Sequence, residues 1–444
     1  VSAESPSAAP SPTPWTWRLA LGGGSVAIAA VAFLFREALP GQVRSLLGVV
    51  CFLLLVAAFS WNLFAVSRRT LVWGVVLQVL LALFVLKFEV FGVRPGYEAF
   101  RWVGDGVASF LTFTDAGSKF VFGPLADPDK HGFIFAFRAL PTIIFVSSFF
   151  TVLYYFGVLQ LIVKLMAYLM TFFMRTSGAE TLSASANVFM GQTEAPLIVK
   201  PYIARMTTSE LLALMVGGMA TISGGLMAVF IGMGADPVAL LTTSVMAAPC
   251  SLYLAKLLIP ETETPETLGV VQTPAAVPYR NAIDAASAGA TDGLHLALNV
   301  AAMLIAFLAF IAMINYVLWT WHVPSLGELF GVVFAPVAVL VGVSPVDVPK
   351  MGELLGTKLV ANEFVAYADF QAMYNDLQPR TRLLATYALT GFANIASIGI
   401  QIGGIGALAP ERRGDLARLG PYALLAGFLA TLINAAIAGV LMTE

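Results

Sequence analysis

The sequence predicts an all-α polytopic membrane protein built around an inverted repeat with two re-entrant helical hairpins. Three observations lead there. Hydrophobic residues make up 59% of the 444 residues and charged residues 11%, where a soluble domain carries about 25% charged residues; mean hydropathy is +0.85. Apolar stretches long enough to cross a bilayer recur along the chain. Two other stretches, 182–205 and 348–375, are interrupted at their centres by polar and charged residues, so each reads as a hairpin that enters the membrane and turns back.

A crossing needs about 20 apolar residues. Segments 17–36, 44–66, 70–90, 133–157, 211–234, 237–259, 293–320, 384–407 and 420–442 meet that length and predict nine crossings. Residues 97–127 set Arg101, Asp105, Asp115 and Lys119 among aromatics, the pattern of a helix lying at the interface. Residues 325–343 are apolar but contain Pro336 and end at Gly342, which predicts a half-embedded helix. The Ser/Pro/Ala-rich start, 1–14, predicts a disordered tail. The polar stretch 260–292 reads as a solvated connector. Arg68 and Arg69, Lys200 with Arg205, and Arg412 and Arg413 with Arg418 mark cytoplasmic ends by the positive-inside rule. The amino terminus is then cytoplasmic and the carboxyl terminus external.

The polar insertions carry the chemistry. Gln192, Thr193 and Glu194 are consecutive, preceded by Gly191 and followed closely by Pro196. A carboxylate at membrane depth costs roughly 2.5–3.5 kcal/mol on insertion scales. Non-helical backbone there is tolerated only where it is buried in protein or lines a cavity. About thirty residues after each hairpin carboxylate comes a matched motif, Gly218-Met-Ala-Thr-Ile222 after Glu194 and Gly391-Phe-Ala-Asn-Ile395 after Glu363. The first hairpin starts from the cytoplasmic side and the second from the external side, the pattern of an inverted repeat, whose solute site lies near the midplane on discontinuous helices.

The intramembrane polar set is Asn187, Gln192, Thr193, Glu194 and Thr221 from the first half and Asn362, Glu363, Asn394 and Ser397 from the second. Asn394 and Ser397 are i, i+3 and share one helix face. The set contains two carboxylates and no Lys or Arg, which disfavours an anionic solute and suits a cation or a neutral solute rich in hydroxyls. Gln192 offers a donor and an acceptor to an amide-like edge, and Leu226 and Phe392 offer apolar faces. A sugar joined to a flat heterocycle fits these groups, as do a plain sugar and an amino acid. The net charge of −2 argues against nucleic acid as a partner. Cys51 and Cys250 read as core residues, and His131, His295 and His322 as structural or interfacial. With no Ser/His or metal set and no phosphate-binding glycine loop, an enzyme is not expected.

The sequence resembles the concentrative nucleoside transporter family, bacterial sodium-coupled type. The matching pieces are FIFAFRALPTIIF (133–145), NVFMGQTEAPLIVKPYIARMTTSELLALMVGGMAT (187–221), MAAPCSLYLAKLLIPETE (246–263), HLALNVAAMLIAF (295–307), KLVANEFVAY (358–367) and GFANIASIGIQIGGIGALAPERRGDLARLG (391–420). The resemblance runs from about residue 44 to the end. It implies a homotrimer in the cytoplasmic membrane, with a scaffold domain and a mobile transport domain. The divisions it suggests are an extra amino-terminal helix over 15–40, scaffold and interfacial helices over 41–157, and the first transport repeat with hairpin 1 over 158–259. A cytoplasmic loop, long scaffold helix and half-embedded helix follow over 260–347, and the second repeat with hairpin 2 over 348–444.

By motif, the resemblance implies that Gln192, Thr193 and Glu194 contact a nucleobase, with Leu226 packed near it. Glu363, Asn394 and Ser397 would bind ribose hydroxyls beside Phe392. A Na+ site would take side-chain oxygens of Asn187, Thr193 and Thr221 and backbone carbonyls of Met190 and Ile222. The implied activity is sodium-coupled symport of nucleosides, with proton coupling as the alternative. The chain departs from the pattern in its extra crossing at 17–36 and in Leu226, bulkier than the expected Val.

Overall fold

The computed structural model describes residues 12–127, 130, 134–269 and 279–442. Most of the 1–14 tail, His131 and part of the 260–292 connector lie outside these. The described residues form helices in the order α1 Trp15–Leu34, α2 Gly41–Ala58, α3 Arg68–Leu86, α4 Pro95–Phe122, α5 Phe135–Tyr155, α6 Val158–Met174, α7 Gly178–Ala186, α8 Ala195–Ile198, α9 Lys200–Ile203 and α10 Thr208–Ala220. They continue with α11 Gly224–Gly232, α12 Pro237–Leu258, α13 Ala282–Thr320, α14 Leu326–Val333, α15 Ala335–Val341, α16 Val348–Val360, α17 Glu363–Met373, α18 Pro379–Leu389, α19 Ile395–Leu408 and α20 Arg413–Leu441.

Burial sorts the long helices into two kinds. In their most apolar stretches, 94% of residues are buried in Pro237–Leu258 and 89% in Thr208–Gly232, against 11% in both Trp15–Leu34 and Ala282–Thr320. Helices α10, α12 and α20 therefore pack against one another at the centre, and α1 and α13 present apolar side chains outward, where lipid or another chain covers them. The central helices are joined by a polar network. Gln78 Nε2 donates to Asn434 Oδ1 at 2.6 Å, Tyr253 Oη donates to Gln78 Oε1 at 2.8 Å, and Asn434 Nδ2 donates to Thr243 O at 3.1 Å. Every bond ties two helices that hydrocarbon alone would let slide.

Eight helices among the described residues are long and apolar enough to cross a membrane. The ninth expected crossing, 384–407, is two half-helices, α18 and α19, separated by extended residues 390–394. The expected crossing 211–234 is likewise interrupted between α10 and α11, where Thr221 is extended. Segment 325–343 divides into α14 and α15 before Gly342, whose φ of +90° ends the helix. Residues 97–127 are mostly the single helix α4. Helix α6 was not foreseen.

The connector is shorter than expected, because α13 begins at Ala282 and not near 293. Its first turns look like loop in the sequence, since Gly289-Ala-Thr-Asp-Gly293 is small and polar. In the fold these residues form the contact with α5. A Cβ at Gly289 would lie 2.8 Å from Ser148 Cα, and one at Gly293 would lie 2.7 Å from Ile144 Cα. Glycines spaced by four let two backbones approach. The extra helix α1 packs on α2, with Ser25 Oγ donating to Cys51 O at 3.2 Å and Arg18 Nη2 to Ser60 O at 3.2 Å.

Candidate functional site

Two hairpins and two helix breaks meet in the buried centre. Hairpin 1 runs down α7, turns through 187–194 and returns through α8 and α9. Its start is held by a capping box, in which Glu180 N–H donates to Ser177 Oγ and Ser177 N–H to Glu180. Hairpin 2 is α16 and α17, which meet at Ala361 and Asn362. Asn362 caps α17, accepting from Val365 N–H at 3.0 Å.

The matched motifs are the two breaks, and they touch. Phe392 N–H donates to Thr221 O at 3.2 Å. Gly391 has φ +139°, a conformation that favours glycine, and a Cβ there would lie 3.0 Å from Met219 O and 2.7 Å from Thr431 Cγ2. The closeness of the two chains at this crossing demands glycine twice over. Half-helices α18 and α10 end at it, and α11 and α19 begin there. The ends of the four half-helices, with their end dipoles, are thus brought to one small volume.

The side chains expected from the sequence converge on that volume. Asn394 caps α19, its Oδ1 accepting from Ser397 N–H at 2.9 Å, and its Nδ2 donates to Glu363 Oε2 at 2.8 Å. Asn394 is therefore a helix cap with Ser397 above it, which is how the i, i+3 pair is used. Gln192 Nε2 donates to Ser397 Oγ at 3.3 Å, joining hairpin 1 to the second repeat. Leu226, in the first turn of α11, and Phe392, in the second break, are both buried. Glu194 Oε2 accepts from Gly191 N–H at 2.7 Å and closes the tip of hairpin 1. Thr193 lies against Gly404 of α19 and also lines the cavity described below.

Asn187 is the residue best furnished for a cation. Its Nδ2 donates to Ser183 O at 3.1 Å, while Oδ1 is buried with no hydrogen-bond partner. Ser183 Oγ is unpartnered as well. Thr221 donates to Gly217 O at 2.9 Å, which leaves its own oxygen free to accept. Buried oxygens without donors call for an ion or a water, and this donor set of hydroxyl and amide oxygens suits a hard monovalent cation such as Na+.

Two functional groups were missed. Gln401 is fully buried and donates to both Gln192 Oε1 at 3.2 Å and Met215 O at 2.9 Å, so it orients the amide of Gln192. The signal was available, because Asn394, Ser397 and Gln401 are i, i+3, i+7 on one face. Lys358 is the second. The sequence reading put no cation in the set, yet the Lys358 ammonium is fully buried in α16 and donates to Ala388 O at 2.7 Å and Thr431 Oγ1 at 2.9 Å. It escaped because four residues, the last of them the helix cap Asn362, stand between it and Glu363 in sequence.

A cavity of about 600 Å³ adjoins the tip of hairpin 1. Thr193, Glu194 and Ser223 form one wall, and Asp292, His295 and Asn299 of α13 face them. His295, read as structural or interfacial from the sequence, lines this cavity from α13.

Two hairpins and two broken helices meeting at one buried polar cluster define an inverted-repeat membrane protein of the secondary-transporter class. The chain belongs to the Na+-dependent nucleoside transporter family: models of that family's amino-terminal and carboxyl-terminal regions match residues 47–125 and 239–439, and a nucleoside-recognition model matches 136–237. It is 42% identical over 432 residues to sodium/nucleoside cotransporter 1 of Mus musculus, covering 90% of this chain and 64% of that protein. The chain therefore spans less than two thirds of that relative's length. It is 43% identical over 413 residues to an uncharacterized transporter of Haemophilus influenzae, covering 89% of this chain and 97% of the other. Among solved structures it is similar to CNTnw in an inward-facing substrate-bound state, with TM-score 0.85 and 39% identity over 90% of this chain and 98% of that one. A CNTnw variant in an outward-facing state matches with TM-score 0.84 and 38% identity over 90% and 97%.

Proposed function

We propose that this protein is a sodium-coupled secondary active symporter that imports nucleosides across the cytoplasmic membrane by alternating access. The observation that carries the reading is the crossing at Thr221 and Phe392. It sets a hydroxyl-binding group, Glu363 with Asn394 and Ser397, beside a base-reading amide, Gln192, and near the unpartnered oxygen of Asn187.

In this reading Gln192, Thr193 and Glu194 hold the base with Leu226 against it, and Glu363, Asn394 and Ser397 take the ribose hydroxyls beside Phe392. Asn187, Thr193 and Thr221, with the carbonyls of Met190 and Ile222, bind Na+. Because Thr193 belongs to both sets, ion binding orders the hairpin tip that receives the base. The two repeats, 158–259 and 348–444, move as a transport domain against a scaffold of 41–157 and 260–347, and three copies assemble. The amino terminus is cytoplasmic and the carboxyl terminus external. One Na+ descending about 100 mV supplies roughly 2.3 kcal/mol, and a tenfold Na+ gradient adds about 1.4 kcal/mol. Together they support an accumulation of several hundredfold without ATP.

Uptake of radiolabelled uridine into proteoliposomes tests the proposal. An inward Na+ gradient is expected to drive accumulation that saturates and shows counterflow. Uptake driven by a pH gradient with Na+ absent would establish the proton-coupled alternative. The free oxygen of Asn187 favours Na+, since a proton needs no cage of neutral oxygens.

A further inference from the structure

Lys358 is the charged group of the centre that this cycle leaves without a part. Both of its hydrogen-bond acceptors are neutral, the Ala388 carbonyl and the Thr431 hydroxyl, and it stands over the Phe428 ring with Nζ 5.5 Å from the centroid. Ala388 is in the last turn of α18, so the ammonium sits at the negative end of a half-helix. Glu363 begins the other arm of the same hairpin, five positions along the chain. A lone ammonium at membrane depth is strongly unfavourable, and a Met of similar length would pack against Phe428 without that penalty. What Lys358 adds beyond Met is its charge and the two hydrogen bonds it donates.

The first repeat is furnished differently at the matching place. The end of half-helix α10, at Gly217 and Thr221, is approached by Asn187, whose amide lies 3.1 Å from where a Cβ of Gly217 would stand. The buried oxygens there, Asn187 Oδ1 and Ser183 Oγ, have no hydrogen-bond partner. One repeat thus presents unfilled oxygens at the end of its half-helix, and the other presents an ammonium fixed to the chain.

We infer that Lys358 is a tethered counter-cation, filling in the second repeat the role that an exchangeable Na+ has in the first. The inference rests on the sodium-coupled reading and adds a stoichiometry to it. Lys358 offsets Glu363, whichever of the two holds their proton, so the second repeat offers no place for a second exchangeable cation. One Na+, in the first repeat, then binds per cycle. The carrier loaded with Na+ and a neutral nucleoside then crosses with one positive charge more than the empty carrier has on its return.

A charge-compensation cycle tests this, read as Na+-dependent thermal stabilisation of purified protein and as the ratio of radiolabelled Na+ to uridine taken up by proteoliposomes. The variants are Lys358→Met, Glu363→Gln and the two together. Wild type is expected to take up Na+ and uridine in equal numbers. Glu363→Gln is expected to weaken Na+ binding roughly tenfold, the order for removing one nearby unit charge at an effective dielectric of about 20. The double variant restores the centre's charge and is expected to recover Na+ affinity to within about twofold of wild type, a non-additivity that defines coupling. Lys358→Met is expected to tighten Na+ binding and raise its Hill coefficient from about one towards two. A double variant as weak as Glu363→Gln overturns the inference, as does a folded Lys358→Met with unchanged Na+ affinity and Hill coefficient. If neither Met variant folds, unchanged Na+ affinity in Glu363→Gln overturns it by itself. Absence of any Na+ effect in wild type would instead count against the sodium-coupled reading.

Discussion

At the residue scale the site is a chain of amides in which Gln192 and Asn394 use both of their ends. Gln401 holds Gln192 by Oε1 and leaves the Gln192 Nε2 to Ser397, while Asn394 holds Ser397 by its backbone and Glu363 by its side chain. The two halves of the chain serve different parts of the solute in the proposed reading, and this gives opposite signatures. Asn394→Ala removes a helix cap and a hydrogen bond to a carboxylate, a loss of about 1.5–3 kcal/mol for the charged bond alone. Uridine binding is expected to fall tenfold or more, while uracil binding changes little. Gln401→Leu leaves Gln192 without its orienting partner, and uridine and uracil are expected to lose similar affinity, about tenfold for one hydrogen bond's worth of positioning. Competition against labelled uridine, with uridine and uracil as competitors, measures both. Equal losses for the two ligands in Asn394→Ala would remove the ribose assignment.

At the element scale, helix pairing depends on backbone contact. Gly289→Ala would push a methyl to within 2.8 Å of Ser148 Cα. Backbone cannot move aside as a long side chain can, so overpacking of about 1–3 kcal/mol is expected, seen as a lower unfolding temperature in detergent. Gly106→Ala on α4 is the control, since a Cβ there meets nothing within 4 Å, and the better helix propensity of Ala is expected to leave stability unchanged or raised by up to about 1 kcal/mol. A Gly289→Ala protein as stable as wild type would show that the α5–α13 contact has slack.

The same glycines show where sequence reading succeeds and where it stops. The hairpins were legible because Glu194 and Glu363 are conspicuous against apolar neighbours, and the repeat was legible because its two motifs share a spacing. The helix breaks were not, because the polar residues at them, such as Thr221 and Asn394, stand beside Ile222, Phe392 and Ala393, which are as apolar as the helices they separate. The start of α13 was hidden for the opposite reason. Its packing surface is made of small residues that carry no hydropathy signal.

At the scale of the whole molecule, burial separates a dense centre, formed by α10, α12, α20 and the parts they enclose, from outer helices that are largely exposed. The cavity beside hairpin 1 lies on the boundary, with Leu197 of the hairpin on one side and Leu296 of α13 on the other. If the repeats travel against the scaffold, this boundary slides in every cycle, and a covalent bridge across it must stop transport without touching the site. Leu197→Cys with Leu296→Cys is suited to the test, because the native thiols, Cys51 and Cys250, are free but buried and offer little background to a reagent. Treatment with a bifunctional maleimide is expected to abolish uridine uptake in the double variant and in neither single variant, while Na+-dependent thermal stabilisation persists, since Asn187 and Thr221 lie inside the moving part. Cross-linked protein that still transports at the uncross-linked rate would mean that hairpin 1 and α13 keep their relation throughout the cycle, and that access alternates by local opening of the hairpins.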